Sequence, residues 1–174
     1  MWNSVMTRRT RNRTAALLAV AAGSVWLTGC GSAPDEAEQT AAKWDTVDPC
    51  TLAQDDDLAP LLTQGLTDGE PVQGAGRTEC TWGNLEQLNV VTVSLASAPG
   101  DDADTLRTVT VAGRTGSVLA ESKYQCIVEF DSEDDGTLAI EAKFGLDAVA
   151  TPDSSCDRVE PLAEQSLSRL AWNA

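Results

Sequence analysis

The 174-residue sequence predicts an α+β domain: an antiparallel β-sheet with N-terminal and C-terminal helices packed on one face, stapled by two disulfides. Three observations predict it. In two successive stretches apolar residues alternate with polar ones, Cys126, Val128 and Phe130 and then Leu138, Ile140, Ala142 and Phe144, which is the period of strands with one buried face. Near the end of the chain Cys156, Val159, Ala163, Leu167 and Leu170 recur at helical spacing. Between them, Cys50, Cys80, Cys126 and Cys156 fall at two equal intervals of about thirty residues.

The chain opens with Arg8, Arg9, Arg11 and Arg13, followed by an apolar run from Ala15 to Leu27 that ends in Leu27-Thr28-Gly29-Cys30. A basic start, a short apolar core and small residues before a cut define a signal peptide, here residues 1–29, and the core is too short for a permanent membrane span. The tetrapeptide resembles the bacterial lipobox, which implies that Cys30 receives diacylglycerol and becomes the mature N-terminus. Two acyl chains hold a protein stably where one does not, at about 0.8 kcal/mol per buried methylene. Arg8-Arg9 leaves twin-arginine export open beside the general route. Residues 30–47 read as the lipidated cysteine and a flexible tether, since Gly31, Ser32, Pro34, Asp35, Glu36 and Glu38 come with almost no large apolar side chain before Trp44.

Residues 48–174 read as one domain. Asp48-Pro49 has the form of an N-cap followed by proline at the first helical position, so a short helix carries Cys50 and Leu52. Asp55, Asp56 and Asp57 suit the first turn of a second helix with Leu58, Leu61 and Leu62 on its apolar face, ending at Gly65. The glycines and Pro71 between Glu70 and Gly76 mark a loop. Thr78–Trp82 and Leu88–Ala96 then form an antiparallel pair that turns Val91, Val93 and Leu95 to the core. Thr108–Val111 and Gly113–Leu119 add one or two strands, and Gln125–Asp131 with Thr137–Phe144 makes a hairpin. Pro161 kinks the C-terminal helix or moves its start downstream.

Composition removes several chemistries. Of 12 basic residues four leave with the signal, so the mature chain keeps eight against 27 acidic ones, a net charge of −19. Such a field repels phosphate backbones and anionic headgroups, which disfavours nucleic acid and leaves the lipid on Cys30 as the membrane attachment. The chain has no histidine. Histidine-based hydrolases are thereby excluded, along with the commonest transition-metal ligand. With Cys30 given to lipid, four cysteines remain in an oxidising location and permit three pairings. Their equal spacing favours Cys50 with Cys80 and Cys126 with Cys156, and the absence of CxxC spacing argues against zinc.

Asp131-Ser132-Glu133-Asp134-Asp135-Gly136 imitates the start of a calcium-binding loop, with Asp131, Asp134 and Asp135 as weak candidate ligands helped by Asp101, Asp102 and Asp104. Ala142 occupies the position where a bidentate glutamate is required, and Asp-Gly is a common hairpin turn. Gly74-Ala75-Gly76 lacks the lysine and helix of a phosphate cradle. Trp82, next to Cys80, reads as core packed on a disulfide. Trp44 and Trp172 either cover the domain's edge or form an exposed patch for a partner or ligand. Sequence picks out no catalytic carboxylate pair.

Asp48-Pro49-Cys50-Thr51-Leu52, Cys80-Thr81-Trp82, Val111-Ala112-Gly113-Arg114, the Cys126 strand with its Leu138–Phe144 partner, and Cys156 leading into Leu162-Ala163 and Leu167-Ser168-Arg169-Leu170 resemble the actinobacterial lipoproteins grouped as domain of unknown function 3558. The resemblance implies a cell-envelope lipoprotein with accessory roles beside transport or secretion machinery, and it carries over no catalytic residues. Pro161 departs from the uninterrupted C-terminal helix the resemblance implies. The expectation is a non-enzymatic, cofactor-free binding or accessory module, lipid-anchored on the outer face of the cytoplasmic membrane, contacting an envelope protein or a small ligand. The alternatives are a carboxylate-based hydrolase of envelope glycans and a weak calcium-responsive module.

Overall fold

A computed structural model describes residues 40–98, 104–145 and 154–172. The expected signal peptide, Cys30, Asp101 and Asp102 lie outside the described residues. The elements in chain order are a 3-10 turn (Pro49–Thr51), α1 (Asp55–Leu58), β1 (Glu70–Gly74), β2 (Arg77–Asn84), β3 (Asn89–Ala96), β4 (Arg107–Val111), β5 (Arg114–Ser122), β6 (Gln125–Ser132), β7 (Gly136–Phe144) and α2 (Glu160–Leu170).

The seven strands form one sheet in the order β1-β2-β3-β7-β6-β5-β4, every neighbour antiparallel. Two meanders, β1–β3 and β4–β7, are sewn together by β3 and β7, where Val93 faces Ile140 and Val91 faces Ala142. The alternation legible in β6 and β7 is the buried row: Cys126, Val128, Phe130, Leu138, Ile140, Ala142 and Phe144 are all core residues. Leu162, Ala163, Leu167 and Leu170 of α2 belong to the same core cluster.

Three expectations need correction. The Glu70–Gly76 loop is in fact β1 and its turn; all five β1 residues are exposed, so no apolar period marks the strand. The second helix is a single turn, because Pro60 has no N–H to continue the ladder, although Leu58, Leu61 and Leu62 are buried. Pro161, as expected, moves the helix start downstream of Cys156: α2 begins at Glu160 and the proline lies in its first turn, where the missing N–H costs nothing. The tether does not reach residue 47: Ala41, Ala42, Trp44 and Val47 pack against the core, with Ala42 N donating to Leu170 O at 2.9 Å.

Cys50 is bonded to Cys80 and Cys126 to Cys156, with Cα–Cα distances of 5.0 Å in both. The first joins the 3-10 turn to β2, and the second joins β6 to the segment leading into α2. α2 also clamps the N-terminal segment, because Ser166 Oγ and Arg169 both donate to Leu52 O and Arg169 pairs with Asp57 at 2.8 Å. Its C-terminus closes through Ala171 in the left-handed region, with Trp172 N donating to Leu167 O at 3.0 Å.

Candidate functional site

The two ends of the sheet are built differently. At the β6–β7 turn the chain enters the domain: Trp44 N donates to Asp135 O at 2.8 Å, and Trp172 Nε1 donates to Ala42 O at 2.8 Å. Trp172 is fully buried, so it presents no surface to a partner, and Trp44 is half-buried against the core. Gly136, at φ 116°, lets these groups meet; a Cβ there would lie 2.4 Å from Ala96 O and 2.7 Å from Trp44 Cβ. Arg114 finishes the closure by donating to Trp172 O and, at 3.0 Å, to Asp131 O.

The acidic turn belongs to this closed end. Asp131 Oδ1 accepts from Thr137 Oγ1 at 2.8 Å and Asp135 Oδ2 accepts from Ser132 Oγ at 3.0 Å. These carboxylates brace the hairpin, and among the described residues no group of three or more acidic or sulfur ligands is arranged to hold a metal ion.

At the opposite end, about 27 Å away along the nine residues of β7, the surface is open and apolar. The β2–β3 turn brings Leu88 and the β5–β6 turn brings Tyr124 to either side of β7, since Gly145 N donates to Leu88 O at 2.9 Å and Phe144 N donates to Tyr124 O at 3.0 Å. Between them runs a groove of about 380 Å³ lined by Leu88, Ser122, Tyr124, Gln125, Lys143 and Gly145. Leu88 is 58% exposed and sits at φ 54°, a left-handed conformation that costs a branched residue about 1–2 kcal/mol. Strain and exposure in one leucine mark a side chain held out of the core. Two lysines flank the groove, one of them ion-paired. Lys123 Nζ lies 4.6 Å from the centre of the Tyr124 ring, while Lys143 pairs with Glu141 at 2.9 Å and Gln125 Nε2 donates to that same carboxylate at 2.9 Å. The groove therefore offers chiefly apolar contact for binding.

The Glu121 carboxyl is held well below the usual carboxylate range. Arg107 grips it through two hydrogen bonds of 2.7 and 2.8 Å, which, with bonds from Ser154 and the Cys156 backbone outweighing partial burial, holds its pKa down at about 2. A glycosidic general acid needs the opposite shift. The pair, with Asp157 3.5 Å from Arg107, fastens β4 and β5 to the segment carrying the second disulfide. Trp82 is core: a Cβ on Gly69 would come within 2.6 Å of Cys80 Sγ and 2.7 Å of Trp82 Nε1.

Leu88, Tyr124 and Lys143 were not predicted as site residues. Leu88 reads as the first residue of a strand in sequence, whereas β3 begins at Asn89. The available signal was the lone tyrosine of the chain, set beside Lys123 in a turn, and two leucines, Leu85 and Leu88, in another turn. No described helix is long and apolar enough to cross a membrane. A family model described as protein of unknown function (DUF3558) matches residues 25–169. No curated protein and no solved structure matches the chain.

Proposed function

The chain belongs to that family of proteins of unknown function, and from this premise we propose that it is a lipid-anchored, extracytoplasmic binding or accessory module of the cell envelope that acts by contact and not by catalysis. The observation that carries the reading is the polarity of the domain. The chain arrives at the β6–β7 end, where its aromatic side chains are engaged in the fold, and the apolar groove of Leu88 and Tyr124 faces away at the other end. An open groove suits docking of an apolar segment of a neighbouring envelope protein better than enclosure of a metabolite.

The attachment is tested by Cys30→Ala, which is expected to release the protein to the medium or leave the precursor unprocessed. A fully processed Cys30→Ala chain retained on membranes would refute lipid anchoring. The contact surface is tested by Leu88→Asp, expected to leave the fold intact and abolish co-purification of the partner captured by the anchored protein. Undiminished capture would remove the groove from the account.

A further inference from the structure

The register of the two outer hairpins tells which backbone groups each edge of the sheet leaves open. β4 and β5 are joined by the two-residue turn Ala112–Gly113, whose φ angles of 50° and 80° fit a type I′ turn. Residues flanking such a turn exchange both hydrogen bonds, so Val111 with Arg114 and Val109 with Gly116 are the bonded pairs. Thr108 and Thr110 therefore carry their N–H and C=O away from β5, and no described strand pairs with that side. Applied to Gly74 and Arg77, the same rule makes Pro71 and Gln73 the outward residues of β1. Proline there offers no N–H, so the β1 edge is blunted as natural edges are. β4 carries no proline, its one basic residue, Arg107, is tied back to Glu121 and Asp157, and its Thr-Val-Thr-Val run is strongly strand-forming.

Beside the β4 edge lies a groove of about 280 Å³ between this strand and α2, lined by Thr110, Val111, Ala112, Asp157, Glu160 and Glu164. Side chains of an added strand would alternate. Those on the face of Val109 and Val111 would lie against the carboxylates of the α2 side, and those between them would lie beside Thr108 and Thr110.

We infer that the β4 edge and its acidic groove dock an extended peptide segment of a partner, added as an eighth strand with basic side chains at alternate positions facing Asp157, Glu160 and Glu164. Main-chain bonds to Thr108 and Thr110 hold it, and the carboxylates select its sequence. A second copy of this chain is disfavoured as occupant, because β4-to-β4 pairing brings the same acidic walls of a protein with net charge −15 together. The inference is independent of the Leu88–Tyr124 groove, which lies on other strands.

The test uses the full chain in detergent and a fluorescent probe peptide, Thr-Lys-Val-Lys-Thr-Lys-Val, titrated by anisotropy. Saturable micromolar binding is expected, weakened at least about tenfold by Glu160→Lys/Glu164→Lys and lost in Thr110→Pro, which removes an outward N–H without touching the β4–β5 ladder. A probe N-methylated at alternate residues gives the same test with the protein unchanged, should Thr110→Pro not fold. Absence of binding, equal binding by the N-methylated probe, or indifference to the charge reversal would overturn the inference. So would a wild-type dimer that Thr110→Pro dissociates, since the edge would then belong to a second copy. Leu88→Asp is expected to leave probe binding unchanged, so failure of the groove and failure of the edge are read separately.

Discussion

At the end of the sheet where the chain enters, Trp172 is buried, Trp44 packs over Gly136, and Arg114 ties Trp172 to β6; at the far end Leu88 stands exposed in a strained conformation and Tyr124 lines a groove. Both ends are made of hairpin turns, and both carry large apolar side chains. They differ in what those side chains touch: core and backbone at one end, solvent at the other. The lesson is that apolar residues near a terminus were drawn into closing the fold, while apolar residues in turns were left for contact.

Substitutions should therefore split by end. Trp172→Ala is expected to cost the most, about 3–5 kcal/mol, because a large buried side chain leaves a cavity and Ala42 O loses its donor. Urea melts monitored by far-UV circular dichroism would read it, and a loss under about 1 kcal/mol would deny that the entry end is core. Removing either disulfide by paired Cys→Ala exchange should cost roughly 3–4 kcal/mol in the loop-entropy model. At the far end Leu88→Asp should change stability by no more than about 0.5 kcal/mol while removing partner capture, and Leu88→Gly, which relieves the positive φ, should be neutral or slightly stabilising.

Acid sharpens the comparison elsewhere in the fold. Glu121 is depressed in the folded state, so its contribution is complete above the ordinary carboxylate pKa of about 4.5 and is lost as pH falls toward about 2. Glu121→Gln should lower stability at neutral pH and flatten the fall between those values. A variant with the same acid profile as the parent would show that the Arg107 clamp contributes nothing.

The strands with one buried face were legible because alternation records burial directly: β6, β7 and the Val91, Val93 and Leu95 row of β3 needed no tertiary information. β1 was hidden for the converse reason, since an exposed edge strand with Pro71 and flanking glycines has the composition of a loop. The candidate site was the least visible part. Trp44 and Trp172 drew attention as bulky aromatics near the ends of the domain, but the wrap of residues 41–47 along α2, a long-range event, decides their burial. Leu88 and Tyr124 become neighbours only because β7 threads between two turns thirty-odd residues apart in the chain.

The most direct measurement is site-specific photocrosslinking in intact envelopes, with a photoreactive residue placed either at Tyr124 or at Glu133, which lie at opposite ends of β7. A discrete protein adduct is expected from position 124 that disappears with Leu88→Asp or Cys30→Ala, and none from position 133. Adducts from position 133 alone, or equal adducts from both, would contradict it.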